Sequence, residues 1–239
     1  MSLKKLSNVI KKKIAIYGGA FDPITNGHLH CISEIIHSQI VDEVWVVPSG
    51  PRNDKPSMKT SPLHRMIMVQ LAVNTFFTSN FPVKVLDIET NKKKSMATYD
   101  LLCKLRDKYK NCDFTFVVGS DWLQQANDLR KWESKDPKDP KGEKTIITGN
   151  KLINEFDFLV LWRPGYEINN LKSFGPRFKM LTLPYNMEYV DVKVSSTELR
   201  KRMCGSEKVR EMVHKNLSLV DGLMPPAVLS FIIRNNLYQ

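Results

Sequence analysis

The stretch Ile14-Ala15-Ile16-Tyr17-Gly18-Gly19-Ala20-Phe21-Asp22-Pro23-Ile24-Thr25-Asn26-Gly27-His28 decides how the chain is read. Its first four residues form a short apolar run that stops at two glycines, the mark of a buried strand entering a tight loop. From Gly27 to about Ser38, Leu29, Ile32, Ile35 and Ile36 recur at helical spacing. Val44–Val47 is the next apolar run, halted by Pro48. Strand, helix and strand within about 35 residues is the signature of a right-handed βαβ unit with parallel strands.

Working outward, the alternation continues. Leu63–Phe77 and Ser95–Lys108 read as helices, and Val83–Ile88 and Phe114–Val118 as strands. A short helix to about Ala126 follows Gly119. Phe158–Trp162 and Met180–Leu183 read as further strands, and Ser195–Met203 and Ala227–Asn235 as closing helices, the last after Pro225-Pro226, a favoured helix start. The expectation is an α/β fold: one Rossmann-like, doubly wound parallel-sheet domain over residues 1–239. A basic lead-in at 1–13 precedes it, and the mixed-charge, Pro- and Gly-containing stretch 134–144 is read as an exposed polar loop insertion. Ligands of such sheets bind beyond the carboxyl ends of the strands, where strand order reverses.

Composition narrows the function less. The 239 residues are 42% hydrophobic and 26% charged, ordinary for a globular protein, with net charge +11. A basic balance suits nucleic acid, anionic membranes or phosphorylated small molecules. No apolar run approaches the roughly 20 residues of a membrane span, since even Phe156–Trp162 contains Asp157. Neither aromatic stacking platforms nor a groove-reading helix marks a nucleic-acid binder. Cys31, Cys103, Cys112 and Cys204 are scattered without a CxxC, which points to a reducing compartment, the cytoplasm first and the nucleus as its alternative. No metal site is expected: His28 and His30 diverge by about 200° on a helix, and His37, His64 and His214 lie far off in sequence.

Two segments carry chemistry. Gly18 and Gly19 let backbone approach a phosphate, because no Cβ stands in the way. Thr25 and His28, three apart at a helix start, can face one ligand, and the helix N-terminus adds unpaired N–H groups. Asp22 before Pro23 reads as a turn-former. Near the other end, Val194-Ser195-Ser196-Thr197-Glu198-Leu199-Arg200 opens a helix with capping-box spacing, and its three hydroxyls with a cation one turn on make an anion cradle.

The first segment resembles the GxFDPxxxGH signature of the nucleotidylyltransferases, and the second resembles their ISSTxxR element. Phe116-Val117-Val118-Gly119-Ser120-Asp121 with Trp132 is similar to the hydrophobic-GxD…W segment of nicotinate-nucleotide adenylyltransferases. Leu159–Gly165 is similar to their vvxRxG strand end, Ala97–Leu102 to their T-x-D-T-L helix start without the second Thr, and Pro48 with Lys55 to their PxxxPPHK loop. The spelling TNGH is instead typical of phosphopantetheine adenylyltransferase, the alternative reading, whose fold is shorter than this chain. The resemblance implies ATP contacts at Gly18, Gly19, Phe21, Thr25, His28, Gly119, Asp121, Ser195, Ser196, Thr197 and Arg200, with His28 and Thr25 catalytic. It implies mononucleotide contacts at Thr98, Trp132, Lys55 and Arg163, the indole stacking on the pyridine ring. The partners are then ATP and nicotinate or nicotinamide mononucleotide, and Mg²⁺ bound through the ATP phosphates is the cofactor. Neither nucleic acid nor membrane is a partner. The choice between the two mononucleotides leans to the acid, and a homo-oligomer is compatible with the sequence.

Overall fold

Strand β1 (Lys12–Gly19) is central because it alternates two apolar faces: Ile14 and Ile16 bury on one side of the sheet, Ala15 and Tyr17 on the other. The computed structural model describes residues 10–52, 55, 58, 60–92, 94–139, 141, 143–168, 170–190, 192–203 and 219–238. Residues 1–9 of the expected lead-in, Cys204 and His214 lie outside them.

From β1 the chain runs through helix α1 (Asn26–His37), β2 (Glu43–Pro48), α2 (Pro62–Phe76) and β3 (Val83–Val85), moving to one edge. Helix α3 (Thr98–Lys108) then leads to β4 (Cys112–Gly119) on the other side of β1. The hairpin β5 (Glu133–Lys135) and β6 (Thr145–Ile147), helix α4 (Gly149–Glu155), β7 (Asp157–Leu161) and β8 (Phe178–Met180) follow. Helices α5 (Ser196–Met203) and α6 (Pro226–Arg234) come last. The main sheet has the order β3-β2-β1-β4-β7-β8 and every pairing is parallel. Strand order therefore reverses between β1 and β4, and the carboxyl ends of these two strands, Gly19 and Gly119, flank the switch point.

One core lies between the sheet and α1, α2, α5 and α6, through Leu29, Ile32, Met68, Leu199, Val228 and their neighbours. The other lies under α3 and α4, around Leu102, Leu105, Phe116, Leu152 and Phe158. The opposite, amino end of the sheet is closed by ion pairs: Lys11 with Asp113 at 2.9 Å, Arg106 with Glu155 at 3.0 Å, Arg177 with Asp157 at 3.1 Å, and Lys12 with Glu43.

Several expectations need correction. Lys12 and Lys13 belong to β1 rather than to a lead-in. The 134–144 stretch is not all loop: Ser134 and Lys135 pair with β6, and buried Ser134 shares a 2.8 Å hydrogen bond with Thr148. Helix α3 starts three residues later than read, the β3 ladder is shorter, and β8 begins before the expected Met180–Leu183 run and ends at Met180. Short helix α4 escaped the reading altogether, since seven residues hold too few turns to display a period.

Arg65 is the charge that ties the strand ends together. It lies on the face of α2 that buries Met68, Val69 and Ala72, and is itself fully buried. Its guanidinium donates to Ala20 O at 2.6 Å, Ser49 O at 2.6 Å and Gly50 O at 3.1 Å, so the loops after β1 and β2 share one anchor. Removing it strands several buried carbonyls at once. Arg65→Met is expected to lower Tm by about 6–12 °C in calorimetry, the scale of ~3 kcal/mol in a chain of this size, with Arg65→Lys recovering only part. A shift below about 2 °C would refute the anchoring role.

Candidate active site

Thr25 is the N-cap of α1, and its Oγ1 accepts from His28 N at 3.3 Å while His28 Nδ1 accepts from Thr25 N at 3.0 Å. The three-residue spacing that brings both residues to one ligand is thus also a capping box with His in the third position. Thr25 is wholly buried, and its hydroxyl donates to Val194 O at 3.2 Å. Because Nδ1 accepts from a backbone N–H, the imidazole proton sits on Nε2, which leaves Nε2–H as the free donor. Phe21 packs edge-on to the His28 ring at 5.2 Å, and Tyr17 stands 6.5 Å away. Burial, reinforced by the Arg163 guanidinium, pushes the His28 pKa from 6.5 down to about 4. The ring is therefore neutral in neutral solution.

The second segment meets the first directly. Ser196 Oγ donates to Pro23 O at 2.7 Å and Arg200 Nη1 to Asp22 O at 2.6 Å. Gly27 is glycine for the same reason: a Cβ there would stand 2.6 Å from Val192 O and 3.1 Å from Val194 O. Ser195 caps α5 by accepting from Glu198 N at 3.1 Å, and Thr197 Oγ1 accepts from Arg200 at 3.2 Å. Ser195 and Thr197 are exposed at the helix start, whereas the Ser196 hydroxyl is spent on the first segment.

The glycines divide by role. At Gly19 a Cβ would strike the Phe21 ring at 2.9 Å, while at Gly18 the nearest atom stands 3.6 Å away in ordinary contact with Phe116. Gly119 clears the way for an ion pair: a Cβ would lie 2.2 Å from Asp121 Oδ1 and 2.7 Å from Arg163 Nε. Arg163 Nη1 donates to Asp121 Oδ2 at 3.2 Å, and Asp121 Oδ1 is buried without a hydrogen-bond partner. Arg163 N donates to Ser120 Oγ at 2.9 Å, which pins the end of β7 to the end of β4.

Trp132 stands edge-on to Trp122 at 5.1 Å and to Phe116 at 6.2 Å. Its carbonyl accepts from both Thr148 N and Gly149 N at 2.9 Å. Gly149 has no room for a Cβ, which would lie 2.3 Å from Leu129 O, so α4 presses onto the turn that delivers the indole. Thr98 is the first residue of α3, and the turn before it is held by buried Glu89. Glu89 Oε2 accepts from Gly50 N at 2.8 Å, Ser95 Oγ at 2.9 Å and Met96 N at 3.1 Å. Lys55 is exposed on the loop after β2.

Of the residues read from sequence, Phe21–His28 and Val194–Arg200 form a cluster at β1, and Gly119, Asp121 and Arg163 form a second at β4. Trp132 packs on Phe116 of β4, Thr98 opens α3, and Lys55 lies on the loop after β2. Sequence reading missed Tyr17, Arg65 and Glu89. For Arg65 a signal existed, a charge in phase with the apolar stripe of α2. Among the described residues, the other histidines make ring contacts: His30 on Phe76, His37 on Phe81 and His64 on Phe231. Among the described residues, no three His, Cys, Asp or Glu side chains group as metal ligands.

Comparison with known proteins agrees with this arrangement. The profile of the cytidylyltransferase-like family matches residues 16–202. A probable nicotinate-nucleotide adenylyltransferase of Bacillus licheniformis is 30% identical over 233 residues, covering 95% of this chain and 99% of that protein. The nicotinate-nucleotide adenylyltransferase of Bacillus subtilis is 28% identical over 232 residues, again 95% of this chain and 99% of that protein. Among solved structures, Plasmodium falciparum nicotinic acid mononucleotide adenylyltransferase complexed with NaAD superposes with a TM-score of 0.67 at 28% identity, covering 95% of this chain and 97% of that one. With motifs, sheet order and full-length likeness in accord, the chain belongs to the nicotinate-nucleotide adenylyltransferases of the cytidylyltransferase-like family.

Proposed function

We infer that the protein transfers the AMP part of ATP to the 5′-phosphate of nicotinate mononucleotide, giving deamido-NAD and pyrophosphate in NAD biosynthesis. The observation that carries this reading is the direct contact of the Asp22–His28 and Val194–Arg200 segments beside the switch point, with the neutral imidazole of His28 in the first of them. The acid form of the mononucleotide follows the names of the full-length relatives, and the phosphopantetheine alternative rests on TNGH alone.

A mononucleotide phosphate oxygen forms the new bond to the α-phosphorus of ATP, and the bond from that phosphorus to the β-phosphate oxygen breaks. Both reactants are anions, so positioning and charge stabilisation supply the rate, and no nucleophilic side chain is required. In our reading His28 Nε2–H donates to an α-phosphate oxygen. Thr25 acts one step removed, by holding the ring tautomer and the helix start. Ser195, Thr197 and Arg200 face the β- and γ-phosphates, and Asp121 stands at the nucleoside side of the cleft. Thr98 and Trp132 hold the pyridine, with Lys55 and Arg163 toward the mononucleotide's anionic groups. The donor set around the triphosphate is hydroxylic and cationic, which fits phosphate oxygens and offers a metal no carboxylate cage. Mg²⁺ would accordingly travel on the β- and γ-phosphates and supply charge neutralisation of the leaving pyrophosphate. None of the helices among the described residues is long and apolar enough to cross a membrane. The scattered cysteines, with no CxxC, are our ground for placing the activity in the cytoplasm.

Three measurements test this reading. His28→Ala is expected to lower kcat by roughly 10²–10³ with a folded protein, the scale of one lost transition-state donor; near-normal turnover would remove His28 from the chemistry. Trp132→Ala is expected to raise KM for nicotinate mononucleotide about tenfold and leave KM for ATP in place, and an unmoved KM would shift the stacking role elsewhere. The third concerns protonation. His28 titrates lower folded than unfolded, so its contribution to stability is complete above pH 6.5 and declines as pH falls toward about 4. Urea midpoints should fall across that window in the wild type and fall less in His28→Asn; identical slopes would contradict a neutral buried ring.

A further inference from the structure

We propose that Tyr238 is a positioning residue for the nucleotide loop, acting through Asp22. The proposal rests on the reading above that the glycine loop and α1 hold ATP.

The end of α6 is built to deliver this side chain. Asn235 caps the helix, and Asn236 adopts φ 50° in the left-handed region. Leu237 N donates back to Ile232 O at 3.0 Å and Asn236 N to Ile233 O at 3.2 Å, the paired bonds of a Schellman motif. Leu237 packs on the core that contains Ile232, as that motif requires. The chain then turns back toward the carboxyl end of the sheet, with Tyr238 at φ 64°. Asn236 is the left-handed residue that ends the helix, but Tyr238, two residues on, holds a second backbone conformation that non-glycine residues rarely adopt and that helix termination does not require.

What Tyr238 reaches is Asp22. Its phenol O–H donates to Asp22 Oδ1 at 2.5 Å, across 216 residues of sequence. Asp22 is 2% exposed, and its Oδ2 is buried without a hydrogen-bond partner, so the phenol is the hydrogen bond that this carboxylate keeps. The backbone of the same residue is what the second motif grips, through Arg200 Nη1 on Asp22 O and Ser196 Oγ on the adjacent Pro23 O. Asp22 is therefore more than a turn-former. It fixes the point where the two phosphate-facing segments cross. The C-terminal region holds the same loop at a second place, since Asn26 N donates to Leu223 O at 3.0 Å and Asn26 Nδ2 to Gly222 O at 2.8 Å. Without the Tyr238 hydroxyl, a buried carboxylate loses its donor and moves toward water, taking the Asp22 and Pro23 carbonyls with it. The mononucleotide side has its own anchors in Glu89 and Gly149, and it meets the nucleotide loop at one remove, where Arg65 bonds both Gly50 O and Ala20 O.

The test compares wild type, Tyr238→Phe, Asp22→Asn and the double variant by calorimetric titration with Mg-ATP and by steady-state kinetics. Phe keeps the ring and removes only the donor. Tyr238→Phe is expected to weaken ATP binding about tenfold, the scale of one charge-assisted hydrogen bond, while KM for the mononucleotide stays within about twofold. Adding Asp22→Asn to Tyr238→Phe removes the buried charge and should recover part of the loss. Unchanged ATP affinity in Tyr238→Phe, or an equal loss for both substrates, overturns the proposal whatever happens to Tm. If Tyr238→Phe does not fold, the double variant is read against Asp22→Asn alone, and a full loss of about tenfold in ATP affinity between those two overturns it, because the hydroxyl would then act without the carboxylate. Failure of the wild type to adenylate nicotinate mononucleotide would instead overturn the acceptor assignment, because the ATP titration is read without acceptor.

Discussion

Side chains of one segment bonding the main-chain carbonyls of another hold this site together. Ser196 and Arg200 reach Pro23 and Asp22, Thr25 reaches Val194, and Gly27 makes the approach possible by having nothing beyond its Cα. Carbonyl acceptors in a partly buried loop must be paired, and here segments some 170 residues apart supply the donors. The parallel sheet does the rest. With β1 and β4 adjacent and the connections leaving in opposite directions, the two loops diverge and leave a cleft between them.

Electrostatics follow from that assembly. His28 is packed among Phe21 and Tyr17 with Arg163 nearby, so the same surroundings that orient the ring also keep it uncharged. A neutral donor suits a ring beside Arg163, since an imidazolium there would meet a like charge. Arg163 is restrained in turn by Asp121, and only glycine at 119 lets that pair sit over the strand end.

Much of this was legible because short apolar runs alternate regularly with helical patterns. Ile14–Tyr17, Val44–Val47 and Phe114–Val118 each read as buried strands, and the helices between them show their period. What escaped reading is short or non-local. Helix α4 and the β5–β6 hairpin have too few residues to show periodicity. Arg65 and Glu89 bond mainly to main-chain atoms, so side-chain identity records neither partner, and the phase of Arg65 on the α2 stripe is its one trace. Thr25 is the instructive case. Its spacing from His28 fits both a shared ligand and an N-cap, and only coordinates show that the hydroxyl is already engaged.

The ion-paired amino end of the sheet has a practical side. Lys11, Asp113, Arg177 and Asp157 lie at the far ends of strands whose other ends carry the nucleotide loops. An eight-residue strand spans about 26 Å, well beyond the Debye length in ordinary buffer. Tethering the protein to a sensor surface through that end would leave substrate access and the local field of the cleft as they are in free solution.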